Sequence, residues 1–421
     1  MNKNNLVQAL KESEKIIFFK NIKNDKLILK LKNYFSAENN SVSDLSDIIY
    51  QLIELSFKEG LSGDLWHNYL KMKLTAAENI FSLKAEKNLI SKKSSLYQIA
   101  LNDIRIIKHL FSYSFQNLIQ FLDESSLENI KSFKIADSEL NTYNLKKYQN
   151  LCSGNSAEKD LDDLIRFYQN YGAGILNQSR AFYWQNENLK LVNNPDPITF
   201  DQLIAYQKEK NKLIENTESF LKGYHAHNVL LYGDSGTGKS SSVKALLNKY
   251  HDQGLRLIEI NSSQIKELPD ILEYLNQRGL YYIIFMDDLS FEEFETDYKY
   301  LKAVMEGGIE SKPENVLFYA TSNRRHLVRE KWQDRESEVH ENDILNEKLS
   351  LSERFGLTLM YNTPSQAEYL TIVNQLASQA DLKIKKDSLK RKALQWSKWN
   401  NGRSGRSARQ FINQLLKEDN K

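Results

Sequence analysis

Cysteine is almost missing from this chain: Cys152 is the only one in 421 residues. A single thiol excludes an intramolecular disulfide and any cysteine-rich metal site, and it fits a reducing compartment. Long apolar runs are missing too. Nothing approaches the roughly twenty residues that a membrane-spanning helix needs. The first residues reach Lys11-Glu12-Ser13-Glu14-Lys15 without an unbroken apolar stretch, so no signal peptide is expected and a cytoplasmic location is. Excess charge is also lacking. Lys and Arg number 57 against 55 Asp and Glu, so the chain as a whole is no electrostatic attractor for nucleic acid, and any basic partner surface must be local.

Proline is scarce and unevenly placed. All five prolines lie beyond residue 194, whereas only five of the sixteen glycines lie before it. That shift divides the chain, as its length also leads one to expect. The first part carries apolar residues at helical spacing, for instance Leu45, Ile48, Ile49, Leu52, Ile53 and then Ile104, Ile107, Leu110, Phe111. The spacing predicts a mostly helical domain over residues 1–190, with Leu27, Leu29 and Leu31 as a short ambiguous alternation. Such a domain is either a plain scaffold or a partner-recognition module. Asn193-Asn194-Pro195-Asp196-Pro197 is the expected boundary, because proline turns its predecessor away from helix.

Beyond the boundary, Phe200 to Leu221 reads as a helix, and strands then alternate with helices. The expected strands are Asn228–Tyr232, Leu255–Ile260, Tyr281–Met286, Asn315–Thr321 and Leu357–Tyr361. Brief continuous apolar strands such as Tyr282-Ile283-Ile284-Phe285-Met286 fit burial on both faces of a parallel α/β sheet. From Thr363 the pattern returns to helix. Thr363, with Pro364 next and Gln366 three residues on, predicts a capping box that opens a small helical lid. The charged run from Arg324 to Lys348 reads as a solvated loop and helix. The scattered histidines, His225, His227 and His326 among them, are given no role.

One stretch organises the rest. Gly233-Asp234-Ser235-Gly236-Thr237-Gly238-Lys239-Ser240 follows an apolar strand and precedes a helix-like run. This is G-x-x-x-x-G-K-[ST] in its meaningful context, and it predicts a nucleotide-phosphate site. The glycines let the backbone wrap phosphate oxygens with its N–H groups turned inward, and the following helix adds the positive end of its dipole. Ser241 continues this binding segment. Lys239 is placed to reach the β- and γ-phosphates, and the Ser240 hydroxyl to ligate Mg²⁺. The third strand ends in Asp287-Asp288. A carboxylate at that strand end suits Mg²⁺, which gives Asp287 as the metal residue, and Asp288 is placed to orient or deprotonate water. Asn323, at the tip of the fourth strand, is a polar side chain near that water. Read alone, Arg354 is a surface arginine, and Gly402 to Arg409 is a flexible basic loop.

Together these residues resemble the AAA+ family of P-loop ATPases, over roughly residues 195–418. Gly233 to Ser240 is similar to Walker A, and Ile283 to Asp288 to Walker B. Asn323 falls at the sensor 1 position. Arg354, in Leu351-Ser352-Glu353-Arg354-Phe355-Gly356, lies where the family has its arginine finger. Arg409 resembles sensor 2, with Arg406 as the alternate, and Pro197 to Leu203 resembles the segment that packs on adenine. The Asp-Asp-Leu-Ser-Phe, Leu-Ser-Glu-Arg-Phe-Gly and Gly-Arg-Ser-Ala-Arg-Gln-Phe runs look like a group of bacterial AAA+ ATPases with a long N-terminal helical region. The resemblance implies an ATPase domain at 195–362, a lid at 363–421, ATP and Mg²⁺ as ligands, and a homo-oligomeric ring or spiral with Arg354 acting on the neighbouring subunit. It implies remodelling of an unknown protein or nucleoprotein client. One departure stands out: the family's second Walker B acid is Glu, and here it is Asp288, one methylene shorter.

Two other functions remain open on the sequence. A nucleic-acid-associated ATPase is suggested by residues 383–409, where ten Lys or Arg stand against one acid, Asp387, with Trp396 and Trp399 interleaved. A nucleotide-gated scaffold with little hydrolysis is suggested by Asp288.

Overall fold

The computed structural model describes residues 3–36, 42–120, 133, 135–291, 297–306, 312–324, 327, 351–400 and 402–419. The charged run after Arg324, including His326, lies almost entirely outside the described residues. The chain divides into two compact units, Met1–Gln178 with Arg278–Leu280, and Ser179–Gln277 with Tyr281–Lys421.

The first unit is built from amphipathic helices. In the helix Ser95–Phe111, Tyr97, Ala100, Leu101, Ile104, Ile107 and Leu110 are buried, an i, i+3, i+4, i+7 stripe. Ser94 caps it by accepting from the Tyr97 amide. The stripe Leu161, Leu164, Phe167 and Tyr168 of the helix Ala157–Tyr171 joins the same core. Leu27, Leu29 and Leu31 lie in a helix, Lys26–Ser36, rather than a strand.

Two buried acids in this unit are satisfied by backbone and by charge. The Asp103 carboxylate accepts from the amides of Ile17 at 3.0 Å and Phe18 at 2.7 Å, while burial pushes its pKa up. Arg278 donates to both carboxylate oxygens of Glu86, at 3.0 and 2.6 Å, to Glu78 at 2.9 Å, and to the Ala173 carbonyl at 2.9 Å. The amides of Ala173 and Gly279 complete the coordination of Glu86. A buried ion pair needs this full set of partners to offset desolvation.

The second unit holds a seven-stranded sheet in the order β2-β1-β4-β5-β6-β3-β7. The strands are β1 (Ala181–Gln185), β2 (Asn188–Leu191), β3 (Val229–Gly233), β4 (Leu255–Ile260), β5 (Tyr281–Met286), β6 (Val316–Ser322) and β7 (Leu357–Tyr361). All pair in parallel except β1 with β2. Every residue of β6 is buried, as is all of β5 after Tyr281, the pattern of strands covered on both faces.

The sheet therefore begins at Ala181, ahead of the proline-rich boundary. Asn186 and Glu187 at φ 51° and 58° close a tight hairpin between β1 and β2, and β1 pairs in parallel with β4. The expected helix from Phe200 is also interrupted. Phe200–Gln202 is a 3-10 turn, Tyr206 stands at φ 62°, and the helix proper is Gln207–Leu221.

Three helices, Gln366–Gln379, Lys386–Trp399 and Gly405–Asp419, form the lid around Tyr369, Val373, Ala393, Ala408 and Phe411. Its first helix is capped by Ser365, not by Thr363: Ser365 and Glu368 form the reciprocal box. Among the described residues, no helix is long and apolar enough to cross a membrane.

Candidate nucleotide-binding site

Parallel pairing sets the site. Tyr232 of β3 lies level with Ser322 of β6, and Ala320 of β6 with Met286 of β5. The carboxyl ends of three adjacent strands therefore bring the glycine loop, Asp287-Asp288 and Asn323 to one edge of the sheet, the usual ligand crevice of such folds. At Gly233 the loop leaves β3 with φ 133°, and a Cβ there would stand 2.2 Å from the Tyr361 carbonyl oxygen. Only glycine fits. Gly238, at φ 100°, turns the chain into the helix Lys239–Tyr250.

Lys239 is 7% exposed. Its ammonium donates to the carbonyls of Gly233 at 2.7 Å and Asp234 at 2.8 Å, and to Asn323 Oδ1 at 3.1 Å. Burial pushes its pKa down, opposed by Asp288, Asp234 and Asp287. Ser240 Oγ donates to Asp287 Oδ1 at 2.6 Å. Asn323 Nδ2 donates to Asp288 Oδ1 at 2.8 Å. Asp288 has φ 54°, uncommon for a residue other than glycine, and its amide donates to Thr321 Oγ1 at 2.9 Å. The same Thr321 hydroxyl donates to Asp287 Oδ1 at 2.5 Å.

Among the described residues the amides of Ser235, Gly236, Thr237 and Gly238 donate to no protein acceptor. With the helix N-terminus behind them they form an anion cradle. The cradle opens into a cleft of about 590 Å³, a size that suits a nucleotide-scale ligand. One wall carries Ile198, Leu203 and Tyr206, and the lid contributes Ile372, Arg406 and Arg409. The acceptor-poor loop fits phosphate. The hard oxygen pair of Ser240 and Asp287 fits Mg²⁺ rather than a softer metal.

Of the sequence-predicted residues, Asp287, Asp288 and Asn323 lie together with Lys239, Ser240 and Ser241 in this cleft. Arg406 also touches the loop through its amide, which donates to the Gly236 carbonyl at 3.2 Å. Arg409 lines the same cleft and donates to the Gln202 carbonyl at 3.4 Å. Arg354 is elsewhere. It is not among the residues of the cleft and pairs with Glu306 at 2.5 Å.

Two residues here were not anticipated from sequence. Thr321 bridges the two aspartates, and the period of two in a strand, which puts 321 and 323 on one face, is the signal that points to it. Thr363 gives Asp234 two hydrogen bonds, amide at 2.7 Å and hydroxyl at 2.6 Å, a pairing across 129 residues that no local pattern carries.

A family model described as a protein of unknown function, DUF815, matches residues 177–419. An AAA-ATPase of Arabidopsis thaliana is 33% identical over 141 residues, which is 31% of this chain and 27% of that protein. The replication factor C large subunit of Sulfurisphaera tokodaii is 40% identical over 78 residues, 18% of this chain and 17% of that one. The chain thus spans under a third of the curated relatives it matches. The Thermotoga maritima RuvB Holliday junction branch migration motor, a solved structure, aligns with TM-score 0.37 and 17% identity over 52% of this chain and 65% of its own. The chain belongs to the DUF815 family and is a member of the AAA+ P-loop ATPases.

Proposed function

We propose that this protein binds ATP with Mg²⁺ in the cleft, hydrolyses it, and uses the cycle to remodel a protein or nucleoprotein client. The observation that carries the reading is the continuous hydrogen-bond chain Ser240–Asp287–Thr321–Asp288–Asn323–Lys239, whose two ends are neighbours in sequence. It sets a cation, a metal-ligand pair and a second carboxylate around one anion cradle.

In this reading the loop amides and Lys239 hold the phosphates, and Ser240 and Asp287 would hold Mg²⁺. The metal, when bound, offsets charge on the phosphate oxygens. Asp288 accepts the proton of the attacking water, as the bond from the γ-phosphorus to its bridging oxygen breaks. Asn323 fixes the Asp288 carboxylate through one oxygen and leaves the other to that water. The shorter arm of Asp in place of Glu is offset here by the backbone turn at Asp288, which Thr321 stabilises. Arg406 and Arg409 sense nucleotide from the lid.

Arg354 is proposed to act in trans within a homo-oligomer, since its own cleft does not contain it. An arginine supplied that way contributes about 10³–10⁵ in rate. The test is ATP turnover against protein concentration. Specific activity is expected to rise with concentration, and Arg354→Ala to abolish turnover while sparing nucleotide binding. Activity independent of concentration and unaffected by Arg354→Ala removes the trans role.

A further inference from the structure

We propose that the outer face of the middle lid helix, Lys386–Trp399, is a docking surface for single-stranded nucleic acid. The chain as a whole is nearly neutral, so a surface this basic is a local feature. The helix splits its residues sharply. Leu389 and Ala393 are buried and Trp396 packs on Phe411 with ring centroids 5.8 Å apart, so its apolar side belongs to the lid core. Lys386, Lys390, Arg391, Gln395 and Lys398 are exposed. Among the described residues, Lys392 is the residue of this helix that enters an ion pair, with Glu418 at 3.9 Å, and Lys386, Lys390, Arg391 and Lys398 enter none. Their charge is therefore available to a partner.

Trp399 ends this face and is 75% exposed. No other large apolar side chain among the described residues is more exposed. Arg391, Gln395 and Lys398 follow one another at i, i+4 and i+7 and so share a face about 10 Å long. At 3.4 Å per nucleotide of one strand, that length covers about three phosphates. An indole at the end of such a row suits stacking on a base. Only an unpaired strand offers a free base face, which selects single-stranded over duplex nucleic acid. An anionic membrane asks for something else. Insertion needs a free apolar helix face, and here that face is already packed inside the lid, so adsorption by charge alone is what the vesicle titration tests.

Binding needs neither hydrolysis nor Mg²⁺, so the test is run without nucleotide and its failure leaves the ATPase reading standing. The full chain is titrated into a fluorescein-labelled oligothymidylate in EDTA, with anisotropy read at several salt concentrations. The same titration uses Arg391→Ala/Lys398→Ala, Trp399→Ala, and phosphatidylserine vesicles in place of the oligonucleotide. The expected result is binding that weakens steeply with salt, with a slope lowered by about 1.4 in the double variant, since each lost phosphate contact removes about 0.7. Trp399→Ala is expected to weaken binding roughly tenfold at every salt concentration. Basal ATP turnover and the thermal midpoint stay as in the wild type. Three results overturn the proposal: no binding at low salt, binding indifferent to both variants, or capture by the vesicles without capture by the oligonucleotide.

Discussion

The Thr321 hydroxyl donates to Asp287 Oδ1 at 2.5 Å while accepting the Asp288 amide at 2.9 Å. One side chain, 2% exposed, orients the metal-side carboxylate and holds its neighbour in a left-handed backbone conformation. Thr321→Val keeps the shape and removes both bonds, leaving the Asp288 amide unsatisfied at a cost of about 1–3 kcal/mol. The expected outcome is a fall in kcat of about 10- to 100-fold with little change in nucleotide affinity, and recovery in Thr321→Ser. Loss of affinity in step with kcat, without serine rescue, would mean that Thr321 serves packing alone.

Asp234 and Thr363 form a second link, between the phosphate loop and the chain leading into the lid. The two Thr363 bonds hold the Asp234 carboxyl below its ordinary pKa. The folded form thus binds the proton less readily than the unfolded chain. The stabilisation is fully present above the unfolded carboxylate value of about 3.9 and is lost as pH falls through the lower folded value. Thr363→Val is expected to melt below the wild type at neutral pH, with the gap narrowing in acid below about pH 4. Thermal melts at the two pH values check it, and a gap constant with pH would contradict it.

Much of the second unit was legible in the sequence because its central strands are short and mostly apolar. A strand buried on both faces has no alternation to misread, and β5 appears with the bounds its residues suggest, as do β4 and the edge strand β7, where buried Leu359 and Tyr361 alternate with exposed Thr358 and Met360. The β1–β2 hairpin was hidden by its length and by the prolines that follow it. The lid cap shows a different limit. Thr363-Pro364 and Ser365-x-x-Glu368 both look like helix starts, and the choice is made by Asp234, distant in sequence, which takes the Thr363 hydroxyl. Arg354 reads as an isolated arginine for the same reason, since Glu306 lies 48 residues earlier and outside any local pattern.

Glu86 is expected to be the most sensitive acid of the first unit. Its side chain is fully buried, and Glu86→Ala would leave the buried Arg278 guanidinium with only the part-exposed Glu78 carboxylate to offset its charge. Breaking one side of such a pair costs about 3–5 kcal/mol. Denaturant unfolding should show a loss of that size for Glu86→Ala, and a smaller one for Glu86→Gln, which keeps some of the hydrogen bonds. Equal stability of both variants with the wild type would contradict the buried clamp.

Gly233→Ala tests the close approach of the loop to β7. The added methyl meets the Tyr361 carbonyl at 2.2 Å and φ 133° strains any side chain. The expected outcome is weaker nucleotide binding together with a lower melting temperature, read by titration and by thermal unfolding. Unchanged binding would show that the loop has room to move.

The most direct test of the whole account is steady-state phosphate release from Mg·ATP by the wild type, Lys239→Ala and Asp288→Asn, with nucleotide binding measured alongside. The account predicts turnover by the wild type, loss of both binding and turnover in Lys239→Ala, and binding without turnover in Asp288→Asn. A wild type that binds ATP tightly yet releases phosphate no faster than Lys239→Ala at any protein concentration would contradict it, and would make the protein a nucleotide-gated scaffold.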